Sequence, residues 1–307
     1  MAVDPVTLIV ALIIASTPIL LAAIGELVVE KSGVLNLGVE GMMIIGAVTG
    51  FVTAVETGSV TLAFLAGMTG GLILAAVFGF LTQFLLSNQV ATGLALTLFG
   101  LGLAALIGVG YPGQQVPIAP DVFPQALQDI PIAGPILFSH SAMIYFSVLI
   151  VAGVWYMLGF TRTGLVLRAV GESHEAAHAL GYKVIRIRLV AILFGGACAG
   201  LGGAFLSVAR VQNWIEGMTA GAGWIALALV VFASWKPWRV LFGAYLFGGI
   251  SALQLRLQAA EIGVPVALLD ASPYIVTILV LVLISSDRTR ASLNAPAALG
   301  KVFHASG

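Results

Sequence analysis

The sequence predicts an all-α, polytopic membrane protein of about nine transmembrane helices, with its N-terminus outside and its C-terminus in the cytoplasm. Three observations predict it. Hydrophobic residues make up 60% of the 307 and charged residues only 8%, where a soluble domain carries about 25% charged residues. Mean hydropathy is +1.10. Apolar runs close to the roughly 20 residues that cross a bilayer recur at 6–24, 37–55, 60–86, 93–110, 142–159, 189–209, 219–235, 239–257 and 272–286. Only two breaks between them are long, 111–141 and 160–188, so 1–307 reads as a single transmembrane domain. A formal net charge of zero gives no reason to expect nucleic acid, and the single Cys198, in an apolar run, excludes a disulfide framework or a thiolate cage.

The first run follows Asp4 with no Lys or Arg before it. It lacks the positive region of a cleaved signal and reads as a retained span, kinked near Pro18. The stretch "GVLNLGVEG" at 33–41 puts Asn36 and Glu40 four residues apart among three glycines. As a helix, it would place both on one face; the glycines also suit a helix that is broken or starts within the membrane. Either Asn36 and Glu40 face a transport path, as polar groups in spans often do, or Glu40 pairs with Lys31 near the surface. "SNQVATG" at 87–93 brings Asn88, Gln89 and Thr92 to a span edge, and Gln254 lies in the eighth run. The 37 glycines include Gly67/Gly71 and "GGACAGLGG" at 195–203, spaced for close helix packing in lipid. None follows a strand, so a dinucleotide-binding reading has no support. The five Trp residues fall mostly at span ends, as an interfacial belt does.

Basic residues set the orientation. Arg162, Arg168, Lys183, Arg186 and Arg188 occupy 160–188; Lys236 and Arg239 occupy "SWKPWR"; Arg288, Arg290 and Lys301 follow the last run. Nine alternating spans bring all three groups to the cytoplasm. The Pro-rich 111–141 break, which holds Asp121 and Asp129 but no Lys or Arg, then faces out. Arg210 and Arg256 are exceptions at outer span ends, where long side chains snorkel.

Within the cytoplasmic break, "HEAAH" at 174–178 matches the H-E-x-x-H zinc-protease pattern. Ser173 suits the N-cap of a helix of about two turns and Gly181 its stop, with Glu172 and Glu175 near the positive end. His174 and His178 share a face, yet a zinc site needs a third protein ligand. The weak candidate, Asp270 in "LLDAS", falls on the outer side, about 30 Å away. An intramembrane metalloprotease is therefore the remote alternative, and no metal or cofactor is expected. Ala176, Ala177, Ala179 and Gly181 instead give the helix a slim face suited to a cleft on a partner, with acidic and His residues as a polar rim.

"GESHEAAHALGYKVIRIRLVAILFGGACAGLGGAFLSV" at 171–208 resembles the coupling-helix region of ABC-transporter permeases in the branch of branched-chain amino-acid, ribose and nucleoside importers. "GELVVEKSGVLNLGVEGMMIIGA" at 25–47 closely resembles the first signature of the nucleoside and simple-sugar permeases. "DIPIAGPILFSH", "LQLRLQ", "SPYIVTILVLVLISS" and "PAALGK" continue the resemblance in order. It implies that 160–188 is the coupling segment, with Glu172, Glu175, Ala176, Ala177 and Gly181 meeting a cytoplasmic ABC ATPase. It further implies a second, paralogous permease subunit, an extracytoplasmic substrate-binding protein docking partly on 111–141, and a place in the inner or plasma membrane. The chain lacks G-x-x-x-x-G-K-[ST], so ATP hydrolysis belongs to a separate subunit and this one is no enzyme. The expected path residues are Asn36, Glu40, Asn88 and Gln254. Their near-neutral chemistry favours an uncharged, hydroxyl-rich solute, a nucleoside first and a simple sugar second; a permease-like channel without an ATPase is the third class.

Overall fold

The computed structural model describes residues 4–259, 265–285 and 295–304; Arg288 and Arg290 lie outside them. The described residues are helical throughout, apart from loops and one isolated bridge between Asp121 and Ser141. In order, the helices are α1 (Pro5–Lys31), α2 (Val39–Thr57), α3 (Val60–Gln83), α4 (Gln89–Gly108), α5 (Gln125–Gln128), α6 (Ala142–Phe160), α7 (Arg162–Glu172) and α8 (His174–Ala179). They are followed by α9 (Val184–Ala204), α10 (Ala222–Phe232), α11 (Pro237–Ala259) and α12 (Val266–Ser285). A π-helical turn, Phe205–Arg210, continues α9, and another, Gly134–Phe138, sits in the long loop.

Each expected run has a helix. Among the described residues seven are long and apolar enough to cross a membrane: α1, α2, α3, α4, α6, α9 with its π turn, and α11. The 20-residue α12 adds an apolar helix of similar length. The seventh run is different. Its helix, α10, has 11 residues, about 16 Å of rise, which is roughly half the hydrocarbon thickness. The preceding residues 211–221 are irregular, so the seventh expected span is a half-length helix entered by a loop.

Local chemistry sets the helix ends. The Asp4 side chain caps Val6 and Thr7, and α1 continues through Pro18 as one helix. Ser59 and Asn88 cap α3 and α4. Between α1 and α2 the chain is non-helical and buried, with Gly33 at φ +86°. The expected break is therefore at 32–38. Asn36 lies in it, so it does not share a helix face with Glu40, which is in the first turn of α2.

The centre of the bundle is α9, which packs on α1, α2 and α3. Apolar burial drives little helix association in lipid; close backbone contact does more. A Cβ on Gly46 of α2 would collide with the Gly200 carbonyl of α9, and one on Gly71 of α3 with the Gly196 carbonyl. Both Gly67/Gly71 and the 195–203 run thus form contact surfaces. Three Trp residues depart from the expected belt. Trp214 is buried against Gly108, Trp235 bonds to Glu30, and Trp224 donates to the Leu37 carbonyl at 3.2 Å. Trp155 and Trp238 stay exposed, with ring centroids 6.1 Å apart.

Gly200→Val puts a branched side chain against backbone that cannot yield, beyond the about 1–3 kcal/mol typical of overpacked cores. It should abolish the monodisperse peak in detergent size-exclusion chromatography. Gly102→Val, where an added Cβ meets nothing within 4 Å, should leave that peak intact.

Candidate functional site

A helix that begins inside a bundle exposes N–H groups with no partner on their own helix, and lipid supplies none. At the start of α10 one side chain answers this. Glu40 is 3% exposed. Its Oε1 accepts from Thr219 Oγ1 at 2.6 Å and from Gly221 N at 2.9 Å, and its Oε2 accepts from Gly223 N at 2.6 Å. Acidic side chains suit the positive end of a helix. Glu40 therefore fastens α10 to α2, and the expected pairing with Lys31 gives way to this cap.

Beside that cap lies a cavity of about 360 Å³, bounded by α1, the π turn of α9, residues 218–225, α11 and α12. Ligand pockets usually span about 300–1,000 Å³ with a few convergent polar groups. Here those groups are Arg210, Thr219, Ser251 and Gln254, set among Pro18, Ile19 and Phe247. Arg210 does not snorkel, as its place at a span end suggested; it is half-buried and lines this cavity. Ser251 donates to its own helix at the Phe247 carbonyl, 3.0 Å away, which leaves its lone pairs toward the cavity.

The expected path residues separate. Gln254 lines the cavity. Asn36 is fully buried in the α1–α2 break; its Oδ1 accepts from Gly38 N at 3.0 Å, and its own N–H donates to Glu26 Oε1 at 3.3 Å. Asn88 is exposed and caps α4 by accepting from Ala91 N at 3.0 Å. Its neighbour Gln89 is buried and accepts from Leu35 N at 2.8 Å. Glu26 and Glu30, passed over in the sequence reading, are buried on one face of α1; their four-residue spacing in "GELVVEK" was the available signal.

The 160–188 segment forms a second constellation. Ser173 caps α8 by accepting from Ala176 N at 3.2 Å, and Gly181 ends it at φ +87°. Glu172 closes the preceding α7. The helix does not present all its alanines on one slim outer face. Ala177 is buried against Val170, Val184 and Phe303, whereas Glu175, Ala176, Ala179 and Gly181 are exposed, with Leu180 the most projecting at 78%. Neighbouring residues on a helix point about 100° apart, so Ala176 and Ala177 cannot share a face.

Both His residues also pack on an aromatic ring. Phe303 sits edge-on to both, with ring centroids 5.3 Å from His174 and 5.3 Å from His178. His174 is buried, and Arg188, fully buried, donates to its Nδ1 at 3.2 Å. Arginine has no acceptor, so His174 is neutral with its proton on Nε2. Arg188 also donates to the carbonyls of Ser32 at 3.2 Å and Lys301 at 3.1 Å. Ala298 N to Gly171 O and Gly300 N to Gly33 O complete a strap that holds residues 298–303 against α7 and α8. Among the described residues no cluster of three or more His, Cys, Asp or Glu could hold a metal.

Comparisons with known proteins agree on the type of protein. Residues 8–284 match the family described as branched-chain amino acid transport system / permease component. The chain is 44% identical over 252 residues, 81% of it and 77% of the relative, to a permease protein of Haloferax volcanii provisionally named for glucose ABC transport. It is 33% identical over 296 residues, 92% of it and 93% of the relative, to a nucleoside ABC transporter permease of Lactococcus lactis. It is 31% identical over 287 residues, 88% of it and 89% of the relative, to a guanosine ABC transporter permease of Bacillus subtilis.

Two measurements check this geometry. Glu40→Gln replaces one acceptor oxygen by a donor facing other donors; losing a charge-assisted bond costs about 1.5–3 kcal/mol. The variant should melt several degrees below wild type in detergent, with Glu40→Asp between the two. For His174, burial first and Arg188 second hold the imidazole below its ordinary value of 6.5. The native state therefore holds it neutral while the unfolded chain takes up the proton first. Its contribution is complete above pH 6.5 and is lost as pH falls through that value toward the depressed one. His174→Gln keeps an acceptor for Arg188 and should flatten this part of the melting-temperature profile.

Proposed function

Because this chain belongs to the branched-chain amino acid transport system permease family and is similar to sugar and nucleoside ABC permeases, we propose that the cavity beside the Glu40 cap is where solute is held during transport. The observation that carries this is the convergence of Arg210, Thr219, Ser251 and Gln254 on an enclosure of about 360 Å³. One cation with no ion-pair partner among the described residues, two hydroxyls and an amide suit a neutral solute rich in oxygen acceptors and hydroxyls. An amino acid would need partners for both charges. The apolar floor of Pro18, Ile19 and Phe247 suits the face of a sugar ring. A simple sugar is the first reading, supported by the 44% relative; a nucleoside is the second, supported by the two relatives matched over nearly their whole length.

The transport cycle follows from the second constellation. A separate ABC ATPase meets the exposed face of α8, where Leu180 projects beside Glu175, Ala176 and Gly181. A second permease subunit completes the path. A binding protein delivers solute at the end of the bundle that holds 111–141, where Gly113 N donates to Asn213 Oδ1 at 3.0 Å and Tyr111 to Glu56 at 2.8 Å. This arrangement puts the basic end in the cytoplasm. Movement of α8 reaches the cavity through α9, which carries Arg188 at one end and Arg210 at the other.

Reconstituted with its partner subunits, the transporter should take up one labelled solute class, hexose or nucleoside, when ATP is supplied. Gln254→Leu should raise the half-saturation concentration several-fold, the scale of one buried hydrogen bond at about 0.5–1.5 kcal/mol. Leu180→Asp should leave solute affinity alone and suppress solute-stimulated ATP hydrolysis. Unaltered uptake by Gln254→Leu together with Arg210→Gln would move the solute elsewhere.

A further inference from the structure

A second cavity is larger than the polar one. A groove of about 790 Å³ opens between α1, α6, α7 and α9, and its wall is almost wholly apolar, with Val154, Met157 and Phe194 among its lining. At its mouth stand Arg162 and Arg186, with Thr163 in the first turn of α7. Both arginines are exposed, and among the described residues neither has a hydrogen-bond or ion-pair partner. No Asp or Glu is part of the lining. The last turns of α6, beside the mouth, expose Trp155, Tyr156 and Phe160, the residue types that settle at a membrane–water boundary. The helix that follows, α7, mixes exposed Leu165 with Arg162 and Arg168, as helices lying in that boundary do.

We propose that this groove is a binding site for an anionic phospholipid, its acyl chain along the α6–α9 wall and its phosphate between Arg162 and Arg186. The argument is one of complementarity. An apolar trough that ends in two unpaired guanidiniums at headgroup level needs an occupant that is apolar at one end and anionic at the other. Guanidinium pairs with phosphate through two parallel hydrogen bonds. Basic pockets between transmembrane helices hold anionic headgroups by this same chemistry. A protein helix seated here would fill the trough but would have to bring carboxylates to both arginines. Because α1, α7 and α9 also carry the strap around Arg188, a lipid in this groove would brace the segment that positions α8.

The test uses the full-length permease, reconstituted in equimolar phosphatidylglycerol and phosphatidylcholine, extracted in detergent and assayed for retained lipid by native mass spectrometry. Wild type should retain phosphatidylglycerol in preference to phosphatidylcholine. Arg162→Gln with Arg186→Gln should lower retained phosphatidylglycerol roughly 30-fold, the scale expected for two cationic side chains at an anionic surface. Arg162→Lys with Arg186→Lys should keep most of it. Gly153→Leu, which adds bulk on the groove wall where a Cβ meets open space, should lower retention of both lipids while the size-exclusion profile stays that of wild type. Equal retention of the two lipids by wild type would overturn the proposal. So would undiminished phosphatidylglycerol in the Gln pair, or cross-linking of Gly153→Cys to a second permease subunit with no lipid retained.

Discussion

A single carboxylate makes the rest of this architecture possible. A helix cannot start in the middle of a lipid-embedded bundle unless something accepts the hydrogen bonds of its first turn, because neither water nor the preceding backbone is there to do so. Glu40 accepts two backbone N–H groups and the Thr219 hydroxyl at the head of α10. With that cap in place α10 can stop short, and the space it leaves becomes the polar-lined cavity. Without it, the Thr219 hydroxyl and the Gly221 and Gly223 N–H groups would lose their acceptor in the bundle interior.

The second constraint is steric. Two helices, α2 and α3, approach α9 so closely that carbonyls crowd the places where side-chain β-carbons would be, at Gly46, Gly71, Gly196 and Gly200. Such close contacts leave α9 little room to shift against its neighbours. Its two ends hold the two constellations that matter. Arg188 ties the 32–33 turn, His174 and the 298–303 strap at one end, and Arg210 lines the cavity at the other. On the proposed function, a stiff helix anchored at both ends is what lets a push on α8 be felt at the solute.

Much of this was legible in the chain. Nine apolar runs gave nine helices, the glycine spacing named the contact surfaces, and Ser173 and Gly181 marked the ends of α8. These are signals a few residues wide, and local physics fixes them. The residues whose partners could not be read from the chain share a different property. Glu40 and Asn36 look like path residues in sequence because polar groups in spans often are; their actual partners, Gly223 and Glu26, are 183 and 10 residues away. His174 and His178 look like a metal pair until Phe303, far along the chain, is seen between them. Ala177 looks like part of a docking face until the strap covers it.

The sequence by itself determined that the chain is a helical membrane protein, roughly where its apolar helices lie, and which glycine-rich stretches allow helices to touch backbone to backbone. Each follows from hydropathy, capping or side-chain size, and each acts over a turn or two of helix. Only the tertiary structure decided that α10 is half a span, that Arg210 and Gln254 face one cavity, and that the H-E-x-x-H stretch clasps an aromatic ring. Those outcomes depend on hydrogen bonds and contacts between residues more than a hundred positions apart, and a low-dielectric interior forces every buried polar group to find such a partner without the sequence saying which.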